Sequence, residues 1–167
     1  MTEPRFDPEA ILATLLRHNV RFVVVGGIAA RVLGSPIITR DLDICYARDW
    51  ENLASLAAAL RELGAKLRGV REPVPFRLDA KTLQDGDAFT FTTNLGDLDV
   101  LGTPTGTRGY DELDANAAPI PIGAAEVRVV SLDDLVRMKR AAGRTKDRLM
   151  LENLGALREE MAKRRRR

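Results

Sequence analysis

A mixed β-sheet with helices packed on it, an α/β (α+β) architecture closed by a C-terminal pair of helices, is the fold class this sequence predicts. Short β-branched or alternating runs such as "FVVV" and "TRDLDICYA" are separated by segments whose apolar residues recur at helical spacing. The helical segments carry caps at their starts and glycines at their ends. A chain of 167 residues, 45% apolar and 30% charged, can bury a core as one domain without disulfide or metal staples. The expected single domain runs over residues 1–167, with a core at about 20–130 and helices plus a basic tail at about 131–167.

"FDPEAILATLLRHN" opens the first helix: Asp7 suits the N-cap, Pro8 the first helical position, and Ile11, Leu12, Leu15 and Leu16 form one stripe. "VRFVVVGG" is a β-branched run ending at glycine, which predicts a buried strand. Gly27 to Leu33 reads as a short helix stopped by Gly34, with Ser35 and Pro36 in the turn. "TRDLDICYA" alternates as a strand, with Asp41, Asp43 and Cys45 on one face and Leu42, Ile44 and Tyr46 on the other. "DWENLASLAAALRELG" is an amphipathic helix capped by Asp49 and ended by Gly64, with Trp50 expected as a core anchor.

Residues 65–86 predict one ragged strand and a loop. Ala88 to Thr93 and Asp97 to Leu101 read as two strands joined at Asn94 to Gly96. The stretch from 102 to 125 is turn-rich and long for a connection, so it is expected to be a functional loop beside the acceptor. "EVRVVS" is the last strand. Ser131 and Asp134 resemble a capping box for "LDDLVRMKRAAG", and a final helix is expected over about Lys146 to Lys163.

Composition removes several classes of chemistry. Cys45 is the only cysteine, so no internal disulfide or cysteine-built zinc cluster forms, and a cytoplasmic setting is expected. His18 is the only histidine and has neither a nucleophile nor a second ligand nearby in sequence, which predicts a structural role. No signal peptide is expected from "MTEPRFDPEA", and no window reaches the ~18 apolar residues of a membrane span. Charge is uneven. Arg137 to Arg167 holds twelve Lys and Arg against four Asp and Glu, a local +8; with a total of +2, the first 136 residues carry −6. Such an end is either a solvated tail or a landing strip for a polyanion such as RNA.

The aspartates raise the sharpest question. Asp41 and Asp43 share one face of a strand, with Cα atoms about 6.5–7 Å apart. Two carboxylates so close in a partly buried place repel each other, and a divalent cation removes that difficulty. Asp99, inside the apolar run of "LGDLDVLG", offers a third ligand, whereas Asp97 at the strand edge has the weaker claim. Mg²⁺, or Mn²⁺ in its place, would then clamp an in-line phosphoryl displacement. Separated from Asp41 by thirteen residues, Gly26 and Gly27 end a strand and begin a helix, where backbone N–H groups can face an anion. Neither a GxGxxG fingerprint nor a phosphate loop of the GKS or GKT kind is present.

The order "VVVGGIAARVLGSPIITRDLDI", "GDLDVLG" and "SLDDLVRMKRAAGRTKDRLMLENL" resembles the nucleotidyltransferase superfamily that includes DNA polymerase β, from about Phe22 to Leu157. Within it, the chain is most similar to small bacterial nucleotidyltransferases related to the MenT and AbiEii toxins. The resemblance implies transfer of a nucleoside monophosphate from Mg-NTP to an acceptor hydroxyl with release of pyrophosphate. Asp41 and Asp43 would bind both metal ions, and Asp99 the catalytic one while drawing the proton from the hydroxyl. Gly26 and Gly27 would contact the triphosphate. Many relatives carry serine where Gly27 stands, so Ser35, Thr39 or another donor would supply the missing hydroxyl. Arg40 would offset the charge of Asp41 or reach the NTP, and Lys139, Arg144 and Lys146 would be further NTP contacts.

The favoured expectation is an RNA acceptor, in particular tRNA, for a toxin held in check by a cognate antitoxin protein. A small antibiotic-type acceptor is the alternative, and an acidic rather than basic pocket would favour it. A non-catalytic nucleotide-binding or antitoxin-like partner is the reading from another class.

Overall fold

A computed structural model describes residues 5–70, 75–143 and 145–166, with backbone only over 145–150. Its centre is a mixed sheet of seven strands: β1 (Phe22–Val25), β2 (Asp41–Tyr46), β3 (Lys66–Leu67), β4 (Ala88–Thr93), β5 (Gly96–Leu101), β6 (Ala118–Ile122) and β7 (Ala125–Val129). They lie in the order β3-β4-β5-β2-β1-β7-β6. The β2–β5 and β1–β7 pairs are parallel and the other four antiparallel.

Among the described residues seven helices accompany the sheet: α1 (Pro8–Arg17), α2 (Gly26–Val32), α3 (Trp50–Glu62), α4 (Ala80–Asp85), α5 (Tyr110–Asn116), α6 (Leu132–Ala142) and α7 (Thr145–Arg165). Local chemistry sets their ends. Asp7 accepts a hydrogen bond from the Ala10 N–H at 3.0 Å, Asp49 from Asn52 at 3.1 Å and Ser131 from Asp134 at 3.1 Å. Each satisfies one backbone donor that the first helical turn cannot. Gly143 closes α6 in the left-handed conformation at φ +63°. No described helix is long and apolar enough to cross a membrane.

The core sits where the apolar faces of β1, β2 and β5 meet the helices. All four residues of β1 are buried, and Leu42, Ile44, Leu98 and Val100 are each 0% exposed. Leu53, Leu56 and Leu60 of α3 join them. The two strands that carry the aspartates are thus pinned through their opposite faces.

Three expectations need correction. Residues 65–86 hold α4 as well as the short strand β3; the helix is only six residues, capped by Asp79, whose carboxylate accepts from Thr82 N–H at 2.9 Å. The stretch from 102 to 125 is not one loop, because α5 and β6 lie inside it. Its prolines fit an edge strand: β6 is outermost in the sheet and pairs with β7 alone, with Pro119 and Pro121 opposite Arg128 and Glu126. Trp50 is no core anchor. It is 57% exposed in the first turn of α3, whose buried stripe is made by leucines instead.

Candidate active site

The parallel pairing of β2 with β5 puts Asp41 beside Asp97 and Asp43 beside Asp99. A carboxylate oxygen from each of Asp41, Asp43 and Asp99 lies within 4.8 Å of the other two. Two cross-strand rows result. One runs Val25, Asp43, Asp99, Thr90, and the other contains Asp41, Asp97 and Thr92. Four acids therefore share one open face of a sheet whose other face is core.

Burial and mutual repulsion show in their proton affinities. Asp43 is pushed up to about 7, first by burial, then by the charges of Asp41 and Asp99 and a hydrogen bond with Asp99; Lys139 opposes the rise. Asp99 is raised as well, by burial, although Arg68 pulls against it. A site with more negative charge than its surroundings neutralise is one that a divalent cation completes.

Arg68, at the end of β3, supplies part of the missing positive charge. Its Nη2 donates to Asp99 Oδ1 at 2.7 Å and its Nη1 lies 3.2 Å from Asp97 Oδ2. The arginine's N–H bonds Thr90 O at 2.9 Å, which sets it two strands away from Asp99 in the same row. Neighbouring strands are ~4.8 Å apart, so only a long side chain spans the distance. Sequence reasoning missed Arg68, since nothing in "AKLRG" says which acids it will face. Its alternation with Lys66 on a short strand was the one available hint.

Gly26 has φ +67°, and a Cβ placed on it would lie 2.0 Å from Asp43 Oδ2. No other residue fits there: the backbone conformation and the carboxylate both demand a bare α-carbon. Gly27 is different. Its φ is ordinary, but a Cβ would come within 2.8 Å of Thr39 Cβ and 2.9 Å of Thr39 Oγ1. Thr39 in turn donates to Asp41 Oδ1 at 2.8 Å.

Gly26, Asp43 and Asp99 line a cavity of about 600 Å³. Lys139, Leu135 and Met138 of α6 and Thr103, Pro104 and Thr105 line it as well. Asp87 adds a further carboxylate, so the described lining carries Asp43, Asp87 and Asp99 against Lys139. Arg48 pairs with Asp87 at 2.9 Å and also donates to Gln84 O and Gly86 O, which fixes the turn that carries this acid.

The expected site residues therefore separate into groups. Asp41, Asp43 and Asp99 converge, with Gly26 against Asp43 and Gly27 and Thr39 beside Asp41, and Lys139 shares the cavity lining with Gly26, Asp43 and Asp99. Ser35 is buried away from the cavity lining. Arg40 is exposed at the entry to β2 and does not line the cavity. The side chains of Arg144 and Lys146 lie outside the described residues. Cys45 is no nucleophile: burial pushes its thiol up to about 12, and it sits against Gly102 O at 3.5 Å.

The model of the aminoglycoside-2″-adenylyltransferase family matches residues 9–154. Among solved structures, the fold resembles the lincosamide antibiotic adenylyltransferase LnuA bound to lincomycin, with a TM-score of 0.60 and 14% identity over 92% of this chain and 99% of that one. It also resembles the antibiotic-resistance factor ANT(2″)-Ia in solution, at 0.53 and 18% over 93% and 89% of the two chains. The same factor in complex with adenylyl-2″-tobramycin gives 0.51 and 17% over 93% and 95%. At such identities the likeness establishes the fold. No curated protein matches the sequence.

Proposed function

Because the chain belongs to the aminoglycoside-2″-adenylyltransferase family and is a nucleotidyltransferase, we propose that it moves a nucleoside monophosphate from an NTP to a hydroxyl of a small, cationic, antibiotic-type acceptor. The observation that carries the reading is the convergence of Asp41, Asp43 and Asp99 within 4.8 Å, with Asp43 and Asp99 lining a cavity of about 600 Å³. Three carboxylate oxygens so arranged fit one or two divalent cations of the Mg²⁺ type, with Asp41 and Asp43 as shared ligands and Asp99 as the third. Bound there, such ions would neutralise the triphosphate and the charge that develops at the transferred phosphorus.

In this mechanism the chain's own groups position and shield. Backbone N–H groups at the Gly26 turn and the Lys139 ammonium hold the triphosphate against the acids. Asp99 faces the acceptor, takes the proton of its hydroxyl and leaves the oxygen to attack the α-phosphorus. The bond from that phosphorus to the bridging oxygen breaks and pyrophosphate departs. Leu135 and Met138 form an apolar wall that limits water at the reacting atoms.

Charge supports the small cationic acceptor over RNA. Outside the metal ligands Asp43 and Asp99, the described cavity lining adds the carboxylate of Asp87, which suits a cation better than a polyanion. Solved structures with this fold include one holding lincomycin and one holding adenylyl-2″-tobramycin. The toxin-type reading, with a tRNA acceptor and a cognate antitoxin, is supported by the basic C-terminal end alone. Lys163, Arg164 and Arg165 of that end lie in the last turn of α7 and are exposed.

The test is transfer of α-labelled NTP, with Mg²⁺ or Mn²⁺, to aminoglycosides, lincosamides or total RNA. Label is expected in a small cationic acceptor and absent with Asp41→Asn. Label confined to RNA overturns the acceptor assignment, and no transfer to anything overturns the catalytic reading.

A further inference from the structure

The double glycine has two unlike reasons for being there, and the second one assigns a role to Thr39. Gly26 makes way for Asp43 itself. Gly27 sits in an unstrained conformation that any residue adopts, so only space excludes a side chain there, and Thr39 occupies that space with its Cβ, Oγ1 and Cγ2 all within 3.1 Å of where a Cβ would stand. The threonine's hydroxyl then reaches Asp41 Oδ1 at 2.8 Å.

We propose that Gly27 and Thr39 form a positioning unit for the metal ligand Asp41: the bare α-carbon seats the threonine, and the threonine hydroxyl holds one carboxylate oxygen so that the other is presented to the ions. The proposal rests on the metal-centre reading above and gives the Thr39 hydroxyl a role beside Asp41 in place of the phosphate contact that the sequence suggested for it. The geometry supports this division. The Thr39 hydroxyl also lies 3.4 Å from the Asp41 carbonyl oxygen, so it is held against residue 41 by backbone as well as side chain. Asp41 stands at the first position of β2, where its neighbours restrain it less than those of Asp43, which lies between β1 and β5 mid-row. A carboxylate free to rotate loses conformational entropy when it takes up an ion, and a fixed one has lost that freedom already. Hydrogen-bonding partners of ligating carboxylates act in this way in metal sites generally.

The test measures Mn²⁺ binding by the protein with no nucleotide or acceptor, using free-ion electron paramagnetic resonance, in the wild type, Thr39→Val, Thr39→Ser and Gly27→Ala. Valine keeps the shape against Gly27 and removes the donor. Thr39→Val is expected to weaken Mn²⁺ binding about tenfold or more, and Thr39→Ser to stay within about twofold of wild type. Gly27→Ala should weaken binding like Thr39→Val, and adding it to Thr39→Val should cost less than about a further twofold. Circular dichroism checks that each variant is folded, and Thr39→Ser keeps the proposal testable if Gly27→Ala is not.

Unchanged Mn²⁺ affinity in Thr39→Val overturns the proposal. So does a rise in KM for NTP with Mn²⁺ affinity intact, which would make Thr39 a substrate contact. Wild-type protein that binds no Mn²⁺ overturns instead the metal-centre reading beneath it.

Discussion

Strands β2 and β5 have two faces that obey opposite rules. On one, Leu42, Ile44, Leu98 and Val100 are fully buried and packed. On the other, Asp41, Asp43, Asp97 and Asp99 stand side by side, half-buried, with Arg68 bridging the β5 pair. The apolar face gives up water-exposed area and stabilises the fold, by about 1.5–3 kcal/mol for each large side chain. The acidic face does the reverse: repulsion among its carboxylates lowers stability until cations arrive. Placing both on the same strands teaches why the site is rigid. The core holds in place a charge arrangement that would otherwise splay apart.

The comparison breaks most visibly at Asp43. Asp43→Asn is expected to lower transfer by ~10³-fold or more, the several kcal/mol that metal-ion catalysis supplies, while the melting temperature of the metal-free protein holds or rises. Steady-state kinetics and calorimetry on one preparation check both halves, and a fall in stability would contradict the account.

Leu98→Ala tests the other face of the same strand. Removing a fully buried leucine should cost about 2–5 kcal/mol in urea unfolding. The protein that remains folded should turn over within a few-fold of wild type.

A pH series sharpens the contrast further. Asp43 has its folded-state affinity raised from 3.8 to about 7. Between those values the folded protein keeps a proton that the unfolded chain has released, so stability falls as pH rises through the window. Asp99 contributes with the same sign. Asp43→Asn lacks this contribution from residue 43. Its melting temperature minus that of wild type should therefore grow from pH 4 to pH 7 in the absence of metal, and saturating Mn²⁺ should flatten the wild-type slope.

Arg68→Met is the smallest of the four. Loss of the bridge to Asp97 and Asp99 is expected to lower kcat about tenfold with KM for NTP little changed, because the guanidinium holds an acid in place and lies outside the described cavity lining.

Much of this arrangement was legible along the chain. The caps of α1, α3 and α6, the alternation of β2 and β5, and the pairing of a double glycine with two acids are all local patterns. What escaped was short or long-range. Helices α4 and α5 have six and seven residues, too few for an apolar period to declare itself. Edge strand β6 was hidden by its prolines. Trp50 looked like core by residue type, yet its side of α3 faces water. Arg68 and the seat of Thr39 on Gly27 depend on contacts between segments 31 and 12 residues apart.

The sequence by itself determined the chemistry on offer: three acids in strand-like alternation, a glycine turn, one histidine and one cysteine. It also determined which faces of β2 and β5 carry the acids and which are apolar at Leu42, Ile44, Leu98 and Val100, because that follows from a period of two. Only the tertiary structure decided the register that sets Asp99 beside Asp43, that Arg68 reaches both Asp97 and Asp99, and that the last turn of α7, with Lys163 to Arg165, contributes no described residue to the cavity. Strand register and helix docking are set by core packing between distant segments, and a spacing along one chain does not carry that information.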